Sequence, residues 1–513
     1  MSMKHTPLAL AALFLAGNLS AQDQPIWGLD RGRNMISLAK GIAEVFGPGK
    51  AKAGSEDIDL ATTKNVKWVV KLGSQSYGNV TVSAGKVLVG TNNESPRDKK
   101  YKGDYGIVYC FEEATGKLLW QLAVPKLGAG RVNDWEFLGV CSSPLIEGDR
   151  VYLVTSRCEV ICLDLNGMAN GNDGVKDEAQ YTAGPGKPPI EQGPLDADII
   201  WRFDMREECG VFPHNASSAS ILMIGDKLYA LTSNGQDWTH TFIPSPQAPT
   251  LICLDKKTGK LIGEDESGIG PRILHCSWSS ASYGEPAGKG QVFMGAGDGW
   301  VYAYDPEPVK PAGDDYAKLK EIWKYDCNPP EYKTGKDGKP IKYPAANGPS
   351  EIIAMPVFHK NRLYVATGQD PEHGEGIGIM TCIDATKKGD ITKDGAIWKF
   401  KNINRAISTV SIMDDLLYVA DFSGRVFCLD AETGREYWMH ETKAHIWGST
   451  YVVDGKVFIG TEDGSLYVFK HDKEKKLLQR IECSSPIFST PVVANGVLYI
   501  ASQTHLYAVK EVK

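Results

Sequence analysis

The sequence contains no CxxC, no CxxCH and no adjacent pair of cysteines, although eleven cysteines are spread through its 513 residues. GxSxG, GxxxxGK[ST] and HExxH are also missing, so the nucleophile elbow, the phosphate-cradling loop and the helical zinc pair have no motif here. There is no excess of basic charge: 56 Lys and Arg face 63 Asp and Glu, a net charge of −7, which argues against nucleic acid as the partner. Beyond the first residues, no apolar run is long enough to cross a bilayer.

What is present begins with an export signal. "MSMKHTPLALAALFLAGNLSAQ" has a basic start, an apolar stretch from Pro7 to Leu19 and a small residue, Ala21, at a cleavage point. Residues 1–21 are therefore expected to be removed and the mature chain to start at Gln22, in the periplasm or outside the cell. No cysteine closes the apolar stretch, so no lipid anchor is expected. Residues 22–64, containing "IWGLDRGRNM", read as a flanking segment beside the main fold.

The rest of the chain repeats a phrase. "FSGRVFCLDAETGREYW" at 422–438 is echoed by "GIVYCFEEATGKLLW" at 106–120 and "PTLICLDKKTGKLIG" at 249–263. Each echo is an alternating run, an acidic residue, a Gly-bearing turn and a second strand, which is a β-hairpin. A second two-strand element lies upstream of it, as in "SSPLIEGDRVYLVT" from Ser142 and "STPVVANGVLYIAS" from Ser489. Two hairpins make a four-stranded unit that must stack on copies of itself to bury both faces.

One residue of the second strand marks each unit: Leu88, Tyr152, Tyr229, Phe293, Tyr364, Tyr418, Phe458 and Tyr499. Eight units with a bare period near 40 residues predict an all-β, eight-bladed propeller over residues 65–513. The last unit ends before any fourth strand, whereas "NVKWVVKL" at 65–72 is a fourth strand without a unit. Pairing the two would close the ring and remove both sheet edges. Cys110, Cys162, Cys253, Cys382 and Cys428 share a third-strand position that other units fill with Ala303, Val468 and Ala508. That position is a small buried packing site, so most thiols are expected to be unpaired. Cys158 and Cys162, four apart on one strand, sit about 13 Å apart, too far for a bridge.

The "CLDAETGREYW" phrase following a "DGKVFIGT"-type strand resembles the PQQ-like propeller repeat, across about residues 65 to 510. That superfamily includes quinoprotein alcohol dehydrogenases and outer-membrane assembly scaffolds of the BamB type. For the dehydrogenases the resemblance would imply pyrroloquinoline quinone with calcium, stacked on a disulfide of adjacent cysteines, a feature this chain lacks. No metal is expected.

Geometry locates the candidate site. First strands line the axis, and aligning the units puts Gln75, Glu351, Arg405 and His445 at one equivalent entrance position, with His214, Asn215 and His275 beside it. Trp278 and Trp447 follow close behind, and Trp135 enters from the preceding "VNDWEF". Glu351 and Arg405, on consecutive units, are placed to pair. The longest loops, from Asn92, Asn234 and Gly368, rim the same end, with Trp238 and His240 as arms. The expectation is a binding or scaffold propeller that takes a protein partner or small ligand at this loop-rich end, with a quinone-dependent oxidoreductase as the alternative.

Overall fold

The computed structural model describes residues 22–314 and 316–511; the export signal expected at 1–21 lies outside them. Eight blades of four antiparallel strands follow one another around a ring, at residues 81–125, 145–204, 222–265, 282–326, 357–400, 411–441 and 451–482, and an eighth made of 492–509 with 66–71. The eighth is the expected joint: His505–Val509 pairs antiparallel with Val66–Lys71, and Ala508 lies opposite Trp68.

The marker alignment is also the register of the sheets. Tyr418 sits opposite Cys428 and Cys428 opposite Trp438, and the same triplet recurs as Leu88, Cys110 and Trp120 and as Tyr364, Cys382 and Trp398. All eleven cysteines are free. The shared turn has a direct cause. Asp430 Oδ1 accepts the amides of Glu432 at 3.1 Å and Thr433 at 2.9 Å, and Gly434 follows at φ 72°. A Cβ on Gly434 would lie 2.6 Å from the Trp398 ring of the preceding blade, whose Nε1 donates to Ala431 O at 3.1 Å. Trp68 docks on Gly116 and Glu113 of the first blade in the same way. The repeated phrase is therefore both the turn of one blade and the socket for its neighbour's tryptophan.

A second set of contacts belts the ring from inside. Backbone amides of Asn79, Ser143 and Ser220 donate to Ser143 Oγ, Ser220 Oγ and Ser280 Oγ at 2.9, 3.0 and 2.8 Å. Those of Met355, Thr409 and Ser449 reach Thr409, Ser449 and Thr490 at 3.1, 2.9 and 3.1 Å, and Thr490 returns to Asn79 Oδ1 at 2.6 Å. The belt is open only between Ser280 and Met355, because methionine offers no oxygen. Small hydroxyl residues before six of the first strands, and Asn79 before a seventh, thus satisfy the buried amides nearest the axis.

Residues 22–37, expected along the flank, instead cross the lower end of the channel and bond to all eight blades. Gln22 O and Gln24 meet Asn495 and Val82, Pro25 O meets Ile146 N, and Arg33 Nη2 donates to Ile221 O at 2.8 Å. Arg31 O, Gly32 O, Asn34 and Met35 O then meet Tyr283, Phe358, Ile412 and Val452. The Arg33 side chain is fully buried, and its other donors reach Ala281 O and Trp27 O at 3.1 and 3.0 Å. Polar segments without alternation leave no strand signal, yet these backbone groups find partners on the inner strands that the ring would otherwise leave open. No helix among the described residues is long and apolar enough to cross a membrane.

Candidate functional site

The plug closes one end of the channel and leaves a cavity of about 380 Å³ open at the loop-rich end. Of the residues expected there, Gln75, Trp135, Asn215, Trp278 and Trp447 line it, while His214, His275, Glu351, Arg405 and His445 lie behind or beside the lining. The equivalence of entrance positions holds in three dimensions. The carbonyls of Glu351, Arg405 and His445 each accept the amide two residues beyond their own second strand, from Gly368, Phe422 and Glu462, at 2.8, 2.9 and 2.9 Å. The side chains nonetheless go to different tasks.

One half of the mouth is aromatic and comes from the first, seventh and eighth blades. Trp447 stacks on Phe488 with centroids 4.7 Å apart, and Tyr77 packs on both at 5.8 and 5.4 Å. Gln75 Oε1 accepts from the Tyr77 hydroxyl at 3.2 Å. His445 stacks on Phe422 at 4.3 Å and shares Glu462 with the Trp447 Nε1, at 2.9 and 3.3 Å. Across the cavity Trp135 stacks on Trp238 at 6.4 Å, and its amide donates to Asn215 O at 2.7 Å.

The other half is built of imidazoles from the third, fourth and fifth blades. His214 and His275 are buried, with their Nε2 atoms 2.6 Å apart. His214 Nδ1 lies 2.6 Å from Gln236 O, so it carries a proton there and turns a bare Nε2 toward His275. His240 and His373, from the loops after Asn234 and Gly368, complete the group: His240 packs on His214 and His275 at 5.1 and 4.8 Å, and His373 Nε2 lies 3.3 Å from His275 Nδ1. Asp370 Oδ2 is 3.7 Å from His275 Nε2. Trp278 covers His275 at 5.1 Å and donates to His214 O and Ala216 O, both at 3.1 Å. Burial pulls His214 down to about 4 and His275 to about 2, helped in the latter by the neighbouring rings, so both are neutral at neutral pH. His373 was not singled out as a site residue in the sequence, and His240 only as an arm of the rim. Both sit in loops with no periodicity; the concentration of histidine in loops that share one end of the ring was the available signal.

Glu351 and Arg405, expected to pair, do not. Glu351 Oε1 accepts from the Tyr343 hydroxyl at 3.0 Å, and Oε2 from the Cys276 amide at 3.3 Å. Arg405 faces the segment 343–350 instead, donating to Ser350 Oγ and to the carbonyls of Ala345 and Pro349 at 2.8, 2.8 and 3.0 Å, and also to Gln369 Oε1. The insertion before Glu351 brings its own carbonyls and Tyr343 between the two side chains, and the alignment of blades contains no information about it.

Burial raises Glu351 to about 8. Between its ordinary value of 4.5 and about 8, the folded chain holds a proton that the unfolded chain has released, so stability falls as pH rises across that window and levels off above it. The slope is up to about 1.4 kcal/mol per pH unit. Glu351→Gln removes this proton, and its melting temperature is expected to rise relative to the parent's between pH 5 and pH 8. A difference that stays constant over that range would show that Glu351 is ionised in the fold.

Comparison with known proteins follows the architecture. A stretch of 84 residues is 33% identical to the outer membrane protein assembly factor BamB of Nitrosomonas eutropha, covering 16% of this chain and 20% of that protein. The chain thus spans about a fifth of the length of the curated relative it matches. BamB from Moraxella catarrhalis superposes with a TM-score of 0.52 at 13% identity, over 87% of this chain and 97% of that one. Quinohemoprotein alcohol dehydrogenase from Comamonas testosteroni gives 0.48 at 15% identity, over 95% and 80%. At 13% identity the BamB superposition speaks to fold alone. The family profile described as outer membrane protein assembly factor BamB matches residues 57–305 and 378–477, more than half of the sequence, and the chain belongs to that family of PQQ-like β-propellers.

Proposed function

We propose that this protein is an exported binding propeller that holds a polypeptide segment bearing aromatic and basic side chains in the mouth of its channel. The observation that carries this reading is the chemistry of the cavity. Its walls are Trp135, Trp278, Trp447, Tyr77 and Phe488, and its charged members are Asp370 and Glu372, both acidic. Tryptophan faces favour cations as well as rings. Two polar atoms on the lining, Asn215 Oδ1 and Trp27 Nε1, are buried without a hydrogen-bond partner among the described residues. The rim adds exposed Trp238, Phe242 and Phe137, at 57%, 61% and 41% exposure, an apolar surface of the kind that marks a contact site. The assembly factors of this family point to a protein partner rather than a metabolite.

Pyrroloquinoline quinone, the cofactor that the dehydrogenase resemblance would bring, is a tricarboxylate held with calcium. The lining contributes no cationic side chain, and Arg405 is spent on backbone carbonyls behind it. These residues do not fit that group, and no oxidative step is assigned.

The test is titration of tryptophan fluorescence with short peptides. A peptide with Trp and Arg is expected to bind saturably, an analogue with Glu for Arg much more weakly, and Trp447→Ala to lose about tenfold or more in affinity, the scale of an aromatic hot spot. Equal binding of the acidic analogue, or no saturable change, would overturn the reading.

A further inference from the structure

We propose that His214, His240, His275 and His373, with Asp370, form a binding site for one divalent transition-metal ion of the zinc, copper or nickel class at the mouth of the channel. This site shares Asp370 with the cavity of the peptide-binding reading, but its histidines lie beside the aromatic lining and its test uses the metal alone.

The geometry is that of an ion site lacking only small adjustments. The ligand atoms of His214, His240 and His275 lie within 4.8 Å of one another, and so do those of His275, Asp370 and His373. Metal–nitrogen bonds of about 2.0–2.1 Å place tetrahedral ligands roughly 3.3 Å apart. The separations at His275 Nε2 bracket that figure, with 2.6 Å to His214 Nε2 and 3.7 Å to Asp370 Oδ2, while His373 Nε2 lies 3.3 Å from the other nitrogen of the His275 ring, Nδ1. The two triads share His275 and so form one cluster, for which one ion is the expected occupancy. Four imidazoles and one carboxylate are nitrogen-rich donors suited to zinc, copper or nickel and unsuited to calcium or magnesium, which take oxygen.

The surroundings orient the donors as metal sites require. Gln236 O takes the Nδ1 proton of His214 and leaves its Nε2 lone pair facing the group, an outer contact that fixes both tautomer and ring angle. Tyr343 stands 3.4 Å from His275 Nδ1 and is itself anchored on Glu351. Neutral imidazole is the form that binds metal, and the Nδ1 contact of His214 to a carbonyl leaves its Nε2 lone pair free for that role. The backbone is held in the left-handed region at Asn215, Ser233 and His240, with φ of 57°, 59° and 54°, a conformation that non-glycine residues adopt mainly where the surroundings impose it. Three consecutive blades supply the ligands, so the ring's own rigidity positions them.

The experiment is equilibrium dialysis of the chelator-stripped full-length mature protein against Zn2+, with metal content measured, and Co2+ absorption as a second readout. One Zn2+ per chain is expected, with Co2+ giving the intense visible bands of a low-coordinate site. His240 is exposed, so His240→Gln leaves folding intact; it and His373→Gln are each expected to weaken Zn2+ binding by about tenfold or more, whereas His445→Gln binds as the parent. Binding below half an equivalent, or an equivalent that survives both substitutions unchanged, overturns the proposal. Loss of peptide binding with Zn2+ binding retained would count against the proposed function alone.

Discussion

A chain lacking residues 65–72 is expected to melt far below the parent, and Trp68→Ala alone to lose about 3–5 kcal/mol. Trp68 is 3% exposed, sits opposite Ala508 across the last pair of strands and donates from Nε1 to Glu113 O at 2.9 Å. Its ring also covers Gly116, where a Cβ would lie 2.9 Å away. One side chain therefore joins the strand before the first blade, the eighth blade and the turn of the first. Without the strand, His505–Val509 becomes an open edge on a sheet whose other neighbours are intact. The deletion also shortens the link to residues 22–37, so the point substitution isolates the joint from the plug. Unfolding followed by circular dichroism in urea decides the matter. A midpoint for Trp68→Ala within error of the parent's would mean that the ring does not depend on this closure.

Arg405→Ala is expected to cost about 3 kcal/mol or more in stability, because removing the buried guanidinium leaves the several carbonyls it serves unsatisfied. Arg405 is 1% exposed, and its guanidinium is the common partner of the carbonyls of Pro344, Ala345, Gly348 and Pro349. Its loss frees the segment 343–350, which carries Tyr343 to Glu351 and His275. Proteolysis of the variant should begin in that segment before the blades are cut. The result that would defeat this account is an unchanged urea midpoint together with weakened peptide binding, which would return Arg405 to the role of a ligand contact. A lysine at this position is expected to recover little, since one ammonium cannot span carbonyls that a planar fork serves together.

The blades were legible in the sequence because what builds them is local. Alternation, the Asp-Gly turn and the tryptophan after it recur within a single hairpin, and each copy repeats one register, in which Trp438 stands opposite Cys428. The closing strand was legible for the same reason: an orphan half-blade at each end admits one joint. The small buried cysteine position followed from comparing copies, and the structure keeps all eleven thiols free.

The site was legible only as an end of the ring. Entrance positions were found by counting, but counting carries no information about where a long loop goes, so Glu351 was set against Arg405 when an insertion separates them. His240 and His373 meet His214 and His275 because three rigid blades aim their loops at one point, and residues 22–37 become a plug because every inner strand offers them an unpaired backbone group. Short-range hydrogen bonding and side-chain alternation are written in neighbouring residues, and those determined the propeller. Convergence of residues as far apart in the chain as His214 and His373 depends on the closed ring as a whole, and only the tertiary structure could decide it.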